Sequence, residues 1–413
     1  MLIKWEKIDQ PIPAKQIPGI LNGYPQLATM NICRLLYPSL ISIVFFVTGC
    51  AHSPETPYTS GLKLFQEFDS TRTFDTTSDA RASFYYRPVR IDLFYPSPEL
   101  TQQPPLTYGD LLNMYEHRMN YNISMDSCKK VGASLAGMFG AYLHVDSSSK
   151  ILEFKTDIFN DIQFPTARHP LIIYAASMNG SSWENALLFD SLTKAGYVIA
   201  AISSVGKYPG FMTEAIDLDE QVQDILFAES RIKKLPFIDS TQIGLLSWSL
   251  GGSAITKAAM VSEDFKCMLS FDGTEIHFYG FDTGWDRQFK NIMVRQPFDP
   301  AAITIPYLYL SSDHPDKFDS VYVFPSHIRS KDNYFLRLVG ASHEDFSSLI
   351  TIGSILVPKS ENADSGRHQI ISKLTLTFFD QYLKQSESNA TAAYLKQLLG
   401  NKPKSYSDRL PGK

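Results

Sequence analysis

The apolar positions of this chain fall into short unbroken runs separated by longer amphipathic stretches. "PLIIYAAS" (170–177), "YVIAAIS" (197–203), "QIGLLS" (242–247), "KCMLSF" (266–271), "IPYLYLSS" (305–312) and "YFLRLV" (334–339) are each strand-length and apolar throughout. Such runs predict strands buried on both faces. Between them, 183–195, "EAIDLDEQVQDILFAESRIKK" (214–234), 250–262 and 367–384 carry helical spacing. Strand and helix in alternation predict an α/β fold, with a mostly parallel central sheet and helices on both faces. "YYRPVRIDLFYPS" (85–97) alternates Val89, Ile91 and Leu93 with polar partners, as a half-exposed strand does. The segment 106–142 reads as helical with a polar break around Asn120–Lys130. We take 106–160 as an insertion or cap within one domain over 62–385, and 386–413 as a tail.

Composition narrows the function. A net charge of −5 and the absence of any Lys/Arg cluster exclude a surface that tracks nucleic-acid phosphates. No fixed-period repeat is present, and nothing in the chain calls for a metal or a cofactor. Cys128 and Cys267 leave both a disulfide and two separate buried thiols open.

The chemistry gathers at "IGLLSWSLGG" (243–252). Ser249 stands between a buried strand and a helix, the setting of a nucleophile elbow. A serine held at so tight a turn needs small residues two before and two after it, and Ser247 and Gly251 are small. Were Ser247 the nucleophile, its neighbour two back would be Leu245, which is too bulky. The motif is S-x-S-x-G where the usual form is G-x-S-x-G. His343, in "LVGASHEDFSSL" after the last strand, follows the elbow in the chain order this fold expects and suits a general base. His169, His277 and His314 fit less well. The acid has two possible sources: Asp272, directly after 266–271, or Asp313 and Asp316, after the following strand. The backbone N–H of Leu250, next after the nucleophile, is one oxyanion donor.

"LLSWSLGG", "LSFDG" and "GASHEDF", with "RPVRIDLFYPS" ahead of them, resemble the dienelactone-hydrolase-like branch of the α/β-hydrolases, and most of all the platelet-activating-factor acetylhydrolase family. The likeness spans roughly 85–350 and fades in 106–160 and after 350. It implies an α/β-hydrolase fold and a serine esterase working through an acyl-enzyme on a small-molecule or lipid ester. It implies Asp272 as the acid, and Met178, with Asn179 close behind, as the second oxyanion donor. The family's His-Gly turn is here Ala176-Ser177, so the resemblance does not carry over the shape of that loop. Dienelactone hydrolases use a cysteine at the elbow, and this chain has serine. A peptidase or acyltransferase on the same fold, or a tethered binding protein without catalysis, are the competing readings. The aromatic loop 275–298 is long enough to shape a substrate pocket.

The N-terminus implies a location. The apolar run 35–49 follows Arg34 and ends in Val47-Thr48-Gly49-Cys50, which is similar to the lipobox of bacterial lipoproteins. That similarity implies lipidation of Cys50, with 1–49 as an upstream extension plus signal peptide and Met30 as an alternative start. Residues 50–61 then form a tether. With Ala51 after the cysteine, the expected place is the bacterial envelope, at the outer membrane.

Overall fold

The computed structural model describes residues 3–7, 58–81, 83–213, 215–276, 287, 290–291, 298–313, 327–358 and 366–399. Ten strands among them form one sheet. In chain order these are β1 (Ile3–Lys7), β2 (Thr59–Thr73), β3 (Tyr86–Ser97), β4 (Ile158–Asn160), β5 (His169–Ala175) and β6 (Val198–Ile202). They continue with β7 (Ile238–Trp248), β8 (Phe265–Phe271), β9 (Tyr307–Ser311) and β10 (Asn333–Arg337). The order across the sheet is β1-β10-β9-β8-β7-β5-β6-β3-β2-β4. Every neighbouring pair is parallel except those made by β3, which runs antiparallel to both β2 and β6.

The unbroken apolar runs are explained by two cores, one on each face. Along β5, Ile172 and Tyr174 enter one core, while Leu171, Ile173 and Ala175 enter the other. The first core takes Phe189 and Leu192 of the helix Ala186–Lys194 and Leu374 and Phe378 of the helix Arg367–Leu383. The second takes Val222 and Ile225 of Ala215–Ile232 and Ala254 and Ile255 of Leu250–Val261. A strand buried on both faces has no use for a polar alternation, so none is written in it.

Several expectations change. Strand β2 begins at Thr59, inside the stretch read as tether, and pairs with β3 along twelve residues. A helix at Ala390–Leu399, with Leu395 buried in the first core, replaces part of the tail. The polar break at 120–130 is shorter than expected: a helix already starts at Met125, capped by Ser124, and runs to Leu143. Within 106–160, Tyr108, Leu111, Phe139 and Leu143 belong to the first core and Ile158–Asn160 joins the sheet. Strand β1 lies within the stretch read as upstream extension and pairs with β10 at the sheet's edge. The rest of the leader, with Cys50, lies outside the described residues. Among the described residues, no helix is long and apolar enough to cross a membrane. Cys128 and Cys267 are separate buried thiols.

Candidate active site

Parallel strands deliver their carboxyl ends to one edge of the sheet, where ligands of open α/β sheets bind. Four loops meet there, after β5, β7, β8 and β10.

The loop after β7 is the elbow. Ser249 has φ 56° and ψ −124°, a region that L-residues other than glycine rarely occupy. Holding it there costs on the order of 1–3 kcal/mol, and its surroundings over-determine it. The Ser249 N–H donates to Phe271 O at 3.0 Å, and Ser249 O accepts from Gly252 and Thr274 N–H at 3.0 and 3.1 Å. A Cβ on Gly251 would run into the Ala175 carbonyl and lie 2.8 Å from that of Ala176. Ser247 is fully buried, its hydroxyl 3.3 Å from Ser270 Oγ. Leu250 opens the helix Leu250–Val261, so its N–H is among the donors a helix start leaves unpaired.

The loops after β8 and β10 supply a carboxylate and an imidazole. Asp272 Oδ2 lies 2.6 Å from His343 Nδ1. The same carboxylate accepts from Ser312 N (2.9 Å) and Ser312 Oγ (2.8 Å), and it is buried. A carboxylate accepts only, so Nδ1 carries the proton and Nε2 is left to accept. Trp248, next to Ser249, stacks on the His343 ring (centroids 5.0 Å, interplanar 30°) and donates from Nε1 to His343 O at 3.2 Å. That stacking lays the imidazole beside the elbow.

Asp313 is not in this group. Its carboxylate accepts from Gly340 N at 2.9 Å and lies 3.6 Å from Arg337 Nε, so it serves the turn after β10. The reason is the strand order: β8 adjoins β7, whereas β9 stands one strand further off, and its end contributes Ser312 as the clamp on Asp272. Asp316, His277 and His314 lie outside the described residues, as does most of 275–298. His169 is buried, with Nδ1 on Gly196 O at 2.9 Å, away from the cluster.

The loop after β5 holds Met178, 46% exposed, and Asn179 at φ 62°. Asn179 exchanges bonds with Met212: Nδ2 donates to Met212 O (3.0 Å) and Oδ1 accepts from Met212 N (2.7 Å). Tyr115 OH donates to Asn179 O at 2.6 Å, and Gln221 Nε2 to Ala176 O at 2.8 Å. Two buried carboxyls back the cluster, and neither was visible as functional in the sequence. Glu184 lies under this turn, and burial pushes its carboxyl up to about 7 against the pull of its Ser177 and Tyr174 donors and of His343. Glu275 lies behind the elbow, where burial pushes it up to about 7 against donation by Tyr307 and Ser270. The one local signal for the first is a glycine, Gly180, four residues before Glu184. Among the described residues no group of His, Cys, Asp and Glu could hold a metal ion.

No family model and no curated protein matches the chain. Solved structures do. A ferulic acid esterase from Streptomyces cinnamoneus superposes with a TM-score of 0.58 at 15% identity, over 82% of this chain and 94% of the esterase. An acylaminoacyl peptidase from Pyrococcus horikoshii gives a TM-score of 0.41 at 19% identity, over 54% of this chain and 39% of the peptidase. The chain thus spans less than half the length of that peptidase. Its fold is the α/β-hydrolase fold, with a mostly parallel sheet and helices on both faces.

Proposed function

We propose that the protein is a serine hydrolase that cleaves carboxylic esters through an acyl-enzyme. Ser249 Oγ attacks the ester carbonyl while its proton passes to His343 Nε2, and Asp272 stabilises the imidazolium that results. The N–H groups of Leu250 and Met178 receive the negative charge on the carbonyl oxygen. The imidazolium then protonates the departing alkoxide, and water releases the acyl group by the same proton path. The observation that carries this reading is the Asp272–His343 pair at 2.6 Å, clamped by Ser312 and stacked on the residue beside a positive-φ serine.

The substrate is a small-molecule or lipid ester with an apolar part. The support is Met178 together with Tyr208 and Phe211 (63% and 56% exposed), which belong to the loop bound to Asn179 through Met212. Treatment with a fluorophosphonate probe, followed by p-nitrophenyl esters of rising acyl length, tests the proposal. The wild type is expected to be labelled and to turn over, and Ser249→Ala to do neither. An unlabelled, inactive wild type favours the binding-protein reading instead, and p-nitroanilide cleavage exceeding ester cleavage favours the peptidase.

The anchor belongs to the same proposal. Cleavage before Cys50 would remove β1 and leave β10 as the sheet's edge. Lipidation of Cys50 would hold the rest of this hydrolase on a membrane of the bacterial envelope, several acyl chains binding stably where one is marginal, at about 0.8 kcal/mol per buried methylene. Mass spectrometry of the mature N-terminus decides it. A modified Cys50 at the first position is expected, and an unmodified Cys50 or a different first residue would end the idea.

A further inference from the structure

The steps above give Glu184 nothing to do, yet its surroundings are specific. It sits in the 3-10 turn Ser182–Asn185 and is 1% exposed. Its Oε2 accepts from Tyr174 OH at 2.9 Å and from Ser177 N at 3.1 Å, and its Oε1 accepts from Ser177 Oγ. Asn185 Nδ2 donates to Tyr174 OH at 2.9 Å, which leaves the phenol proton to Glu184. The space for the carboxyl exists because residue 180 is glycine: a Cβ there would overlap Glu184 and lie 2.6 Å from Ser177 Oγ. Gly180 N in turn donates to Ser177 O at 2.9 Å. In a trans peptide the N–H points opposite to the C=O. Whatever fixes Ser177 and its carbonyl therefore fixes the direction of the Met178 N–H.

We infer that Glu184 is a positioning residue for the oxyanion turn: its ionised carboxylate fastens Ser177 by backbone and side chain together, and so aims the Met178 amide. This rests on the esterase reading above. Three donors on two oxygens require that neither oxygen carry a proton. A protonated Glu184 must point its own O–H at Ser177 Oγ or Tyr174 OH, and one of the three contacts is then reversed or lost. The carboxyl is pushed up to about 7 by burial, so that change falls near neutrality. The groups facing it are the phenols of Tyr174, Tyr108 and Tyr115, held neutral by burial, and His343 across the site. The Arg90–Asp92 pair of β3 reaches its 3-10 turn through Ser182.

The test is the pH dependence of kcat, from pH 5 to 9, for the wild type, Glu184→Gln and Glu184→Ala. Glutamine cannot ionise and, like the protonated acid, must donate to Ser177 Oγ instead of accepting from it, so it stands for the protonated state at every pH. Wild-type kcat is expected to fall as pH drops through about 7, since Glu184 must lose its proton to fasten Ser177. In Glu184→Gln the acid limb should be shallower by that one proton, and the plateau should fall below that of the wild type. Glu184→Ala should lose about 10–100-fold in kcat with KM nearly unchanged, because the oxyanion contact is made in the transition state. Should Glu184→Ala fail to fold, Ser177→Ala removes a single contact and should give a smaller loss of the same kind. A Glu184→Gln acid limb superimposable on the wild type, or a folded Glu184→Ala or Ser177→Ala with wild-type kcat, overturns the inference alone. Ester hydrolysis that survives Ser249→Ala overturns the esterase reading, and this inference with it.

Discussion

Two turns of the candidate site, after β7 and after β5, are built by opposite means. The elbow after β7 is held by the main chain: Ser249 exchanges hydrogen bonds with Phe271, Gly252 and Thr274 backbone, and Gly251 lies against the carbonyls of Ala175 and Ala176. The turn after β5 is held by side chains from elsewhere, namely Glu184, Tyr115 and Gln221, with Asn179 reaching out to Met212. Backbone crowding imposes a rule on nearby residues, so the elbow announces itself as small-x-Ser-x-Gly. Side-chain tethers impose none, so the second turn can change its local sequence as long as its tethers persist. Where the family that the sequence resembles carries a His-Gly turn this chain has Ala176-Ser177, and the loop is anchored all the same.

Replacing a glycine in each turn is the sharpest way to break this contrast. Gly251→Ala drives a methyl into two backbone carbonyls that cannot withdraw without moving β5. It is expected to abolish ester hydrolysis and to cost about 1–3 kcal/mol or more in stability, as overpacking does. Gly180→Ala meets the side chains of Glu184 and Ser177, which can yield by rotation. It should lower kcat while leaving the melting temperature close to wild type. Equal damage to folding from both, by thermal melts and by turnover, would show that the two turns are not differently built.

Next in size is the acid. Asp272→Asn should leave the imidazole in the wrong tautomer and cost about 10⁴-fold in kcat. Asp313→Asn, which disturbs only the Gly340 and Arg337 contacts, should cost less than about threefold. Steady-state turnover of both variants decides it, and the reverse ranking would remove Asp272 from the mechanism.

This pair also shows how far the sequence could be read. The candidates Ser249 and His343 stand out from their own neighbourhoods, because elbow sterics and chain order are local facts. The acid does not: the residues alone leave Asp272 open against Asp313 and Asp316, and the preference for Asp272 comes from a resemblance. What separates them physically is strand order, with β8 beside β7, and the Ser312 clamp 40 residues from Asp272. The apolar runs of β5 to β10 were equally plain. Strand β2, "TSGLKLFQEFDSTRT", is not legible: its first three residues fall in the stretch read as tether and 62–73 are assigned no element, because its structure comes from pairing with β3 and not from an apolar run of its own. The tethers of the β5 turn were illegible for the same reason, Tyr115 and Met212 lying 64 and 33 residues from Asn179.

A milder change probes the tethered turn. Asn179→Ala removes both bonds to Met212 and frees the loop that carries Tyr208 and Phe211. Asn179 also holds φ 62°, which alanine tolerates less well. A loss of about tenfold in kcat/KM is expected, with Asn179→Gly restoring backbone freedom but not the bonds and so falling between. Wild-type kcat/KM in Asn179→Ala would mean that the Met212 contact contributes nothing to the site.

The smallest effect is expected behind the elbow, and it concerns stability rather than turnover. Glu275 accepts from Tyr307 OH at 2.6 Å and is packed against Gly252 and Gly273, whose missing side chains make room for it. Its carboxyl is raised from 4.5 to about 7 by burial. A carboxyl raised on folding binds its proton more tightly in the native state, so the stability it contributes is fully present below about pH 4.5 and is lost as pH rises toward 7. The whole span corresponds to at most about 3 kcal/mol, at 1.36 kcal/mol per unit. Glu275→Gln has no proton to lose and should therefore melt higher than the wild type at pH 8, with the gap closing toward pH 5. Glu184→Gln should show the same sign, because its carboxyl is raised for the same reason. The two variants differ in what else they change: removing the charge behind the elbow leaves the backbone hydrogen bonds of Ser249 in place, so the acid limb of kcat should keep its wild-type slope in Glu275→Gln. Melting curves at pH 5 and pH 8 beside that limb separate the two carboxyls, and a Glu275→Gln protein less stable than wild type at pH 8 would show that the charge, once buried, is held by more than Tyr307 and Ser270.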